Sequence, residues 1–345
     1  MSGKLKSFLK YILSFIILVV SVWYAVRDIN IYELKDVIFD ADYLWVLLSV
    51  PIILLSHWVR AARWKTMLNP IKETKSVFNL FSAVMIGYFF NCVLPRGGEF
   101  IRPYVVARRE KISYSATFAT VIAERVIDVL MLGFIFFVAF FFLGSQILKA
   151  LPSEVNSEKV FVLALIVIGV MFLSFYPPIF RLILKYTLKP ISQNAYDKIS
   201  ELFEKFLKGF TFIKCPSQYL RLTTESMLIW VLYTIPLFMM FYAGDFQARF
   251  DLGFDAAVVL IIVSGIGVSI APSPGAIGVY HVLIQTALHE LYGIDKTEAL
   301  AYATLTHGIN YLIQVVTGGI FAMRENVKKL PDSADISAIK NTGQG

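Results

Sequence analysis

Asn91-Cys-Val-Leu-Pro95-Arg96-Gly97-Gly98-Glu99-Phe-Ile-Arg102 is the stretch on which the fold turns. It closes an apolar run, Val77 to Leu94, that would otherwise read as a membrane-spanning helix. Proline costs about 3 kcal/mol inside a helix, and two adjacent glycines give the backbone freedom to turn. Arg96, Glu99 and Arg102 then set three charges next to the apolar run. Unsatisfied backbone and unpaired charge are expensive in lipid, so such a break is tolerated where protein or a wet cavity surrounds it. Membrane transporters place binding sites at broken helices of this kind. A tight turn outside the membrane, between two ordinary spans, is the plainer alternative.

Composition supports a membrane setting. The mean hydropathy is +0.67, and 57% of residues are hydrophobic against 17% charged. That is not the make-up of a soluble domain. Several runs approach the ~18–20 apolar residues needed to cross about 30 Å of hydrocarbon. They are Phe8–Val26, Tyr43–Val59, Ser115–Leu143, Val160–Tyr176, Leu222–Ala243 and Ala299–Met323. The first suits a retained span better than a signal peptide, because no small-residue cleavage site stands out. Arg27–Asp42 carries Ile31, Leu34, Val37 and Ile38 at helical spacing, which predicts a short interfacial helix. The net charge of +7 fits basic cytoplasmic loops against anionic headgroups rather than nucleic acid. Cys92 and Cys215 are the only cysteines, so no disulfide and no zinc site are expected.

A second interruption, Pro272-Ser-Pro274-Gly275-Ala-Ile-Gly278, follows the apolar run Ala256–Ala271. If both interrupted segments return to the side they came from, 25 of the 32 lysines and arginines face the cytoplasm. A full crossing by Val77–Leu94 alone would send the basic Arg96–Lys111 loop outward, against the positive-inside rule. The expected fold is therefore an all-α integral membrane protein of about six full spans plus two re-entrant broken helices, arranged as two inverted repeats. Residues 1–143 form the first repeat, with its break at 91–102. Residues 144–326 form the second, with a basic amphipathic connector at 179–214 and a break at 271–278. Residues 327–345 read as a disordered cytoplasmic tail, which puts both termini on the cytoplasmic side of the inner cell membrane.

The combination Asn91–Glu99 with Arg102, then Ala119-Thr-Val-Ile-Ala-Glu124-Arg125-Val-Ile-Asp128, resembles the lysylphosphatidylglycerol synthase transmembrane (flippase-like domain) family. Arg60-Ala-Ala-Arg63-Trp64 and Ala271–Gly278 match its other signatures. The resemblance runs from about Leu5 to Asn326. It implies a domain similar to a translocator of aminoacylated phosphatidylglycerol. The best-known relatives add a soluble aminoacyl transferase domain, for which this chain has no room, so a stand-alone membrane domain without synthase activity is expected. Relatives often carry glutamate at the position of His281 and arginine at that of His307.

Candidate site residues follow from cost. Glu124, Arg125 and Asp128 lie inside an apolar run, and Glu124 and Asp128 are four apart on one helix face. They suit an inward cavity containing a cation or, alternatively, ion pairs with Arg60, Arg63 or Arg125. Glu99 and Arg102, three apart, share a face if a helix restarts after Gly98. With Arg96 they suit a headgroup's phosphate and its ammonium or hydroxyl, or else a structural pair pinning the break. Arg60 and Arg63 end a span and are free to snorkel. Asn91 suits the freed backbone at the break, beside Pro95, Gly97 and Gly98. His281 and His307 either pack as neutral groups or gain charge on acidification, which would couple transport to protons. No nucleophile elbow, Walker loop or metal cluster is present in the sequence, so no enzyme activity and no cofactor are expected.

The leading expectation is a lipid translocator for a phospholipid or polyprenyl-phosphate-type headgroup. The alternatives are a secondary transporter of a small solute and a non-transporting accessory of envelope lipid or glycan synthesis. Expected partners are membrane lipids, not nucleic acid, with a homo-oligomer or a separate lipid-modifying enzyme as the protein partner. The topology makes one prediction: single cysteines at Lys72, Arg109 and Lys205 are labelled from the cytoplasmic side alone. Labelling of the Arg109 site from outside would remove the re-entrant arrangement.

Overall fold

The computed structural model describes residues 3–73, 76–149, 216–270 and 273–327, with isolated positions between 182 and 200 and at 331. The expected span Val160–Tyr176, most of the connector 179–214, Pro272 and nearly all of the tail lie outside the described residues. Every described element is helical, as expected for an all-α membrane protein. In chain order the first six are α1 Gly3–Val26, α2 Ile31–Phe39, α3 Tyr43–Leu68, α4 Val77–Val93, α5 Gly98–Glu110 and α6 Tyr114–Lys149. The others are α7 Pro216–Ala243, α8 Phe246–Phe250, α9 Phe254–Ile270, α10 Val279–Tyr292 and α11 Lys296–Arg324, with a short 3₁₀ turn, Pro274–Ala276, between α9 and α10.

By length and composition Tyr43–Leu68, Tyr114–Phe142 and Ser217–Ala243 each suffice to cross a membrane, and Ile12–Val26 does so paired with Ile31–Phe39 across an 87° bend. Asn30 makes that bend by accepting hydrogen bonds from the amides of Tyr32 and Glu33. The α2 helix leaves Ile31, Tyr32 and Phe39 exposed. One expectation fails: α3 does not end at Val59. It continues to Leu68, and Arg60 and Arg63 are buried within it rather than snorkelling. Hydropathy marks where apolar residues stop, and a helix that finds carboxylates beyond that point has no reason to stop there.

The helix α4 ends at Val93, and after a four-residue turn α5 starts at Gly98 and runs back. Asn79 near the start of α4 meets α5's last residue, its amide donating to Glu110, while Arg109 donates to the Asn79 carbonyl. The pair is a helical hairpin whose two ends lie together. Likewise Gly267 of α9 faces Leu283 of α10, and Leu291 near the end of α10 packs with Val259 and Ile262 of α9. The two hairpins approach α11 from opposite ends. Phe78 and Phe81 of α4 stack edge-on against Phe321 near its C-terminus, whereas Leu288 of α10 packs with Ala299 and Tyr302 near its N-terminus.

Two apolar cores result. Trp64, Met67, Leu80, Met85, Ile86, Ile101 and Val105 centre the first. Phe241, Phe246, Leu260, Ile284, Leu288 and Tyr302 centre the second. The helices α3 and α11 run through both: Val46 and Tyr302 sit in the second core, and Met67 and Ile313 in the first.

The first hairpin depends on glycine at one close approach. A Cβ on Gly98 would overlap the backbone carbonyl of Gly87 across the hairpin. Gly98→Ala is therefore expected to destabilise the protein by about 1–3 kcal/mol. Gly308→Ala, whose added Cβ would meet nothing within 4 Å, serves as the control and leaves stability unchanged or slightly raised. Thermal unfolding of both variants in detergent checks this; equal midpoints would contradict the close packing.

Candidate functional site

The hairpin tips meet. Residues 94–97 form the first tip, where the Gly97 amide donates to the Leu94 carbonyl at 2.9 Å and Asn91 Oδ1 accepts from the Gly98 amide at 2.8 Å. Arg96 adopts a left-handed backbone, φ 59°, at a cost of about 1–3 kcal/mol for a non-glycine residue. That turn aims its guanidinium across the gap, where Nη2 donates to the Ser269 carbonyl at 3.0 Å. Ser269 belongs to the last turn of α9, whose carbonyls lack helical partners and whose dipole favours a cation. The second tip is built on Gly275, φ 58°, and Gly278, φ 80°. His307 Nε2 donates to the Gly275 carbonyl at 2.8 Å. A Cβ on Gly275 would stand 3.5 Å from Cys92 Cα, and one on Gly278 would strike α1 at Ser21. The tips thus touch beside His307, Tyr311 and Gln314. At about 1.5 Å per residue these lie some 15–25 Å from either end of the 29-residue α11.

About one turn from the first tip lies a buried charge network. Arg60 Nη2 bridges Glu124 Oε1 at 2.6 Å and Asp128 Oδ2 at 2.5 Å. Arg63 Nη2 bridges the same two carboxylates at 3.3 and 2.6 Å. Arg102 Nη2 reaches Glu124 Oε2 at 2.6 Å, and its guanidinium lies 4.5 Å from the centre of the Trp64 ring. Glu124 is fully buried, with a side-chain exposure of 0%. Arg60 also donates to Tyr233 Oη at 2.8 Å and Arg63 to Ser226 Oγ at 3.0 Å, which fixes α7 to α3. At the edge, Arg125 stands 3.7 Å from Glu99 and 3.8 Å from Asp128.

The predicted residues therefore fall into two groups. Arg60, Arg63, Glu99, Arg102, Glu124, Arg125 and Asp128 form the network, and Asn91, Arg96, His281 and His307 line the tips. Glu99 and Arg102 share α5 but do not pair with each other: Arg102 turns inward to Glu124, and Glu99 meets Arg125. The ring centroids of His281 and His307 lie 5.0 Å apart, and His281 Nδ1 is buried without a hydrogen-bond partner. Pro95 and Gly97 lie in the first tip and Pro274 opens the 3₁₀ turn. Sequence reading missed Ser226 and Tyr233, whose seven-residue spacing places them on one face of α7. It also missed His57, one turn before Arg60, which is buried against Tyr88 with ring centroids 4.6 Å apart.

Comparison with known proteins gives the architecture a context. The UPF0104 membrane protein PH1989 of Pyrococcus horikoshii is 26% identical, over 96% of this chain and all of its own length. The UPF0104 membrane protein MJ1595 of Methanocaldococcus jannaschii is 25% identical, over 91% of this chain and 94% of its own. The glycosyltransferase AglD of Haloferax volcanii is 24% identical over 84% of this chain, which spans half of AglD. The family model described as the lysylphosphatidylglycerol synthase TM region matches residues 11–318. With most of its length matched by that model, this chain belongs to the lysylphosphatidylglycerol synthase transmembrane family.

Proposed function

We propose that this membrane protein is a flippase-like translocator that moves an anionic or phosphate-bearing lipid headgroup between two re-entrant hairpins. One observation carries the reading. Two broken helices approach from opposite ends of α11 and touch halfway along it, with Arg96 of one capping the last turn of the other. Discontinuous helices meeting at mid-depth are the arrangement in which transporters hold charged substrates, because freed backbone dipoles and side chains then face a protein-lined space rather than lipid. On this reading residues 1–143 and 144–326 are inverted repeats, both termini are cytoplasmic, and the membrane is the inner cell membrane. A phospholipid or polyprenyl-phosphate-type headgroup is the cargo. The family's description names an aminoacylated phospholipid, which supports a lipid cargo.

A second reading, a non-transporting accessory of envelope lipid or glycan synthesis, draws support from the burial of Glu124 between three arginines. Such a network braces α3, α5 and α6 whether or not anything is carried.

Transport separates the two. Vesicles containing the purified protein are expected to move a short-chain fluorescent phosphatidylglycerol between leaflets faster than protein-free vesicles. Arg96 is exposed and holds the tips by one charge-assisted hydrogen bond. Arg96→Gln is therefore expected to leave folding intact and change the transport rate about tenfold, the equivalent of ~1.4 kcal/mol. Wild-type rates no higher than in empty vesicles would favour the accessory role.

A further inference from the structure

The buried network is not electrically balanced. Three guanidinia, those of Arg60, Arg63 and Arg102, with side chains at most 5% exposed, face two carboxylates, Glu124 and Asp128. The edge pair Arg125 and Glu99 adds one charge of each sign. Counted together, the seven side chains carry four positive charges against three negative ones, so every guanidinium has a carboxylate neighbour but the cluster keeps a net excess of one positive charge among the described residues. Hydrogen bonding tells the same story independently. Nε of Arg60, of Arg63, of Arg102 and of Arg125 is buried with no acceptor. Buried donors are nearly always satisfied, and an uncompensated buried charge is among the most expensive features a protein can keep.

Resting on the translocator reading, we infer that the missing counter-charge is a single anionic phosphodiester group of the lipid headgroup. Guanidinium donors match phosphate oxygens in geometry, and a charge of −1 neutralises the network without leaving an excess. The site then selects headgroups of net charge −1. It disfavours zwitterionic headgroups, which add no net charge. It disfavours an aminoacylated one such as lysylphosphatidylglycerol still more, since two amines against one phosphate bring a further positive charge. Entry is by way of the edge. Contacts inside the network reach 2.5–2.6 Å, whereas those of Arg125 to Glu99 and Asp128 are 3.7 and 3.8 Å, on side chains 42% and 30% exposed for Arg125 and Glu99. A phosphate displacing Glu99 from Arg125 reaches the cluster by breaking one of the two long contacts at its exposed edge.

Edge substitutions test the charge balance without cutting the core. Glu99→Gln leaves the seven-residue cluster with a further positive charge, and Arg125→Gln makes it neutral. Purified wild type and both variants in mixed detergent micelles are offered phosphatidylglycerol, phosphatidylcholine, lysylphosphatidylglycerol and inorganic phosphate, with bound lipid read by native mass spectrometry. The wild type is expected to retain phosphatidylglycerol about tenfold over phosphatidylcholine, and lysylphosphatidylglycerol least. Glu99→Gln widens that preference and Arg125→Gln narrows it. Equal retention of the lipids, or a shift in the same direction by both variants, overturns the assignment. Displacement of phosphatidylglycerol by millimolar inorganic phosphate overturns the lipid as the source of the anion. Charge-selective binding by a protein that fails in the vesicle transport measurement leaves the counter-charge in place and removes the translocator reading. Transport without charge selectivity does the reverse.

Discussion

Lipid offers no hydrogen bonds, so a helix interrupted in the apolar part of a membrane protein must find partners for its freed backbone within the protein. Here the partners come from both hairpins and from α11. Asn91 completes its own turn through the Gly98 amide, but the last turn of α9 is completed by Arg96 of the first hairpin. The Gly275 carbonyl is completed by His307 of α11. Neither break is finished alone. This mutual completion explains why the tips touch rather than stand apart, and why α11, which runs through both cores, carries polar residues at its middle: His307, Asn310 and Gln314.

The breaks were legible in the sequence because proline and glycine act locally. Pro95 with Gly97 and Gly98, and Pro274 with Gly275 and Gly278, interrupt helices whatever surrounds them. What they touch was not legible. Arg96 and Ser269 are 173 residues apart in the chain, and no spacing rule connects them. Cys92, read in the sequence only for the absence of a disulfide or zinc site, lies where the second tip packs.

The charged residues show the same division. Four-residue spacing put Glu124 and Asp128 on one face of α6, whereas Arg60 and Arg63 of α3 were read as residues at a span end. That these residues meet is a tertiary fact. The snorkelling alternative for Arg60 and Arg63 rested on the apolar run ending at Val59, a sound guide only where water begins. Two carboxylates on α6 replace water there, so α3 stays helical for nine more residues, to Leu68. Ser226 and Tyr233 went unread because a serine and a tyrosine in an apolar helix carry no signal of which arginine will bond them.

The tips and the network are joined by α5. Its first residue, Gly98, packs against the backbone of Gly87, and one turn on Arg102 holds Glu124 at 2.6 Å. Any motion that parts the tips by tilting α5 must also draw Arg102 off Glu124, exposing a buried carboxylate and a guanidinium at once. Breaking a buried pair in this way costs about 3–5 kcal/mol. A ligand offsets that cost only through contacts it makes in the open form and not in the closed one. An anion that satisfies Arg102 while Glu124 retains Arg60 and Arg63 meets that requirement; a neutral group does not. On the translocator reading, charge in the network would then set what opens the hairpins, and the hairpins when the network is reached.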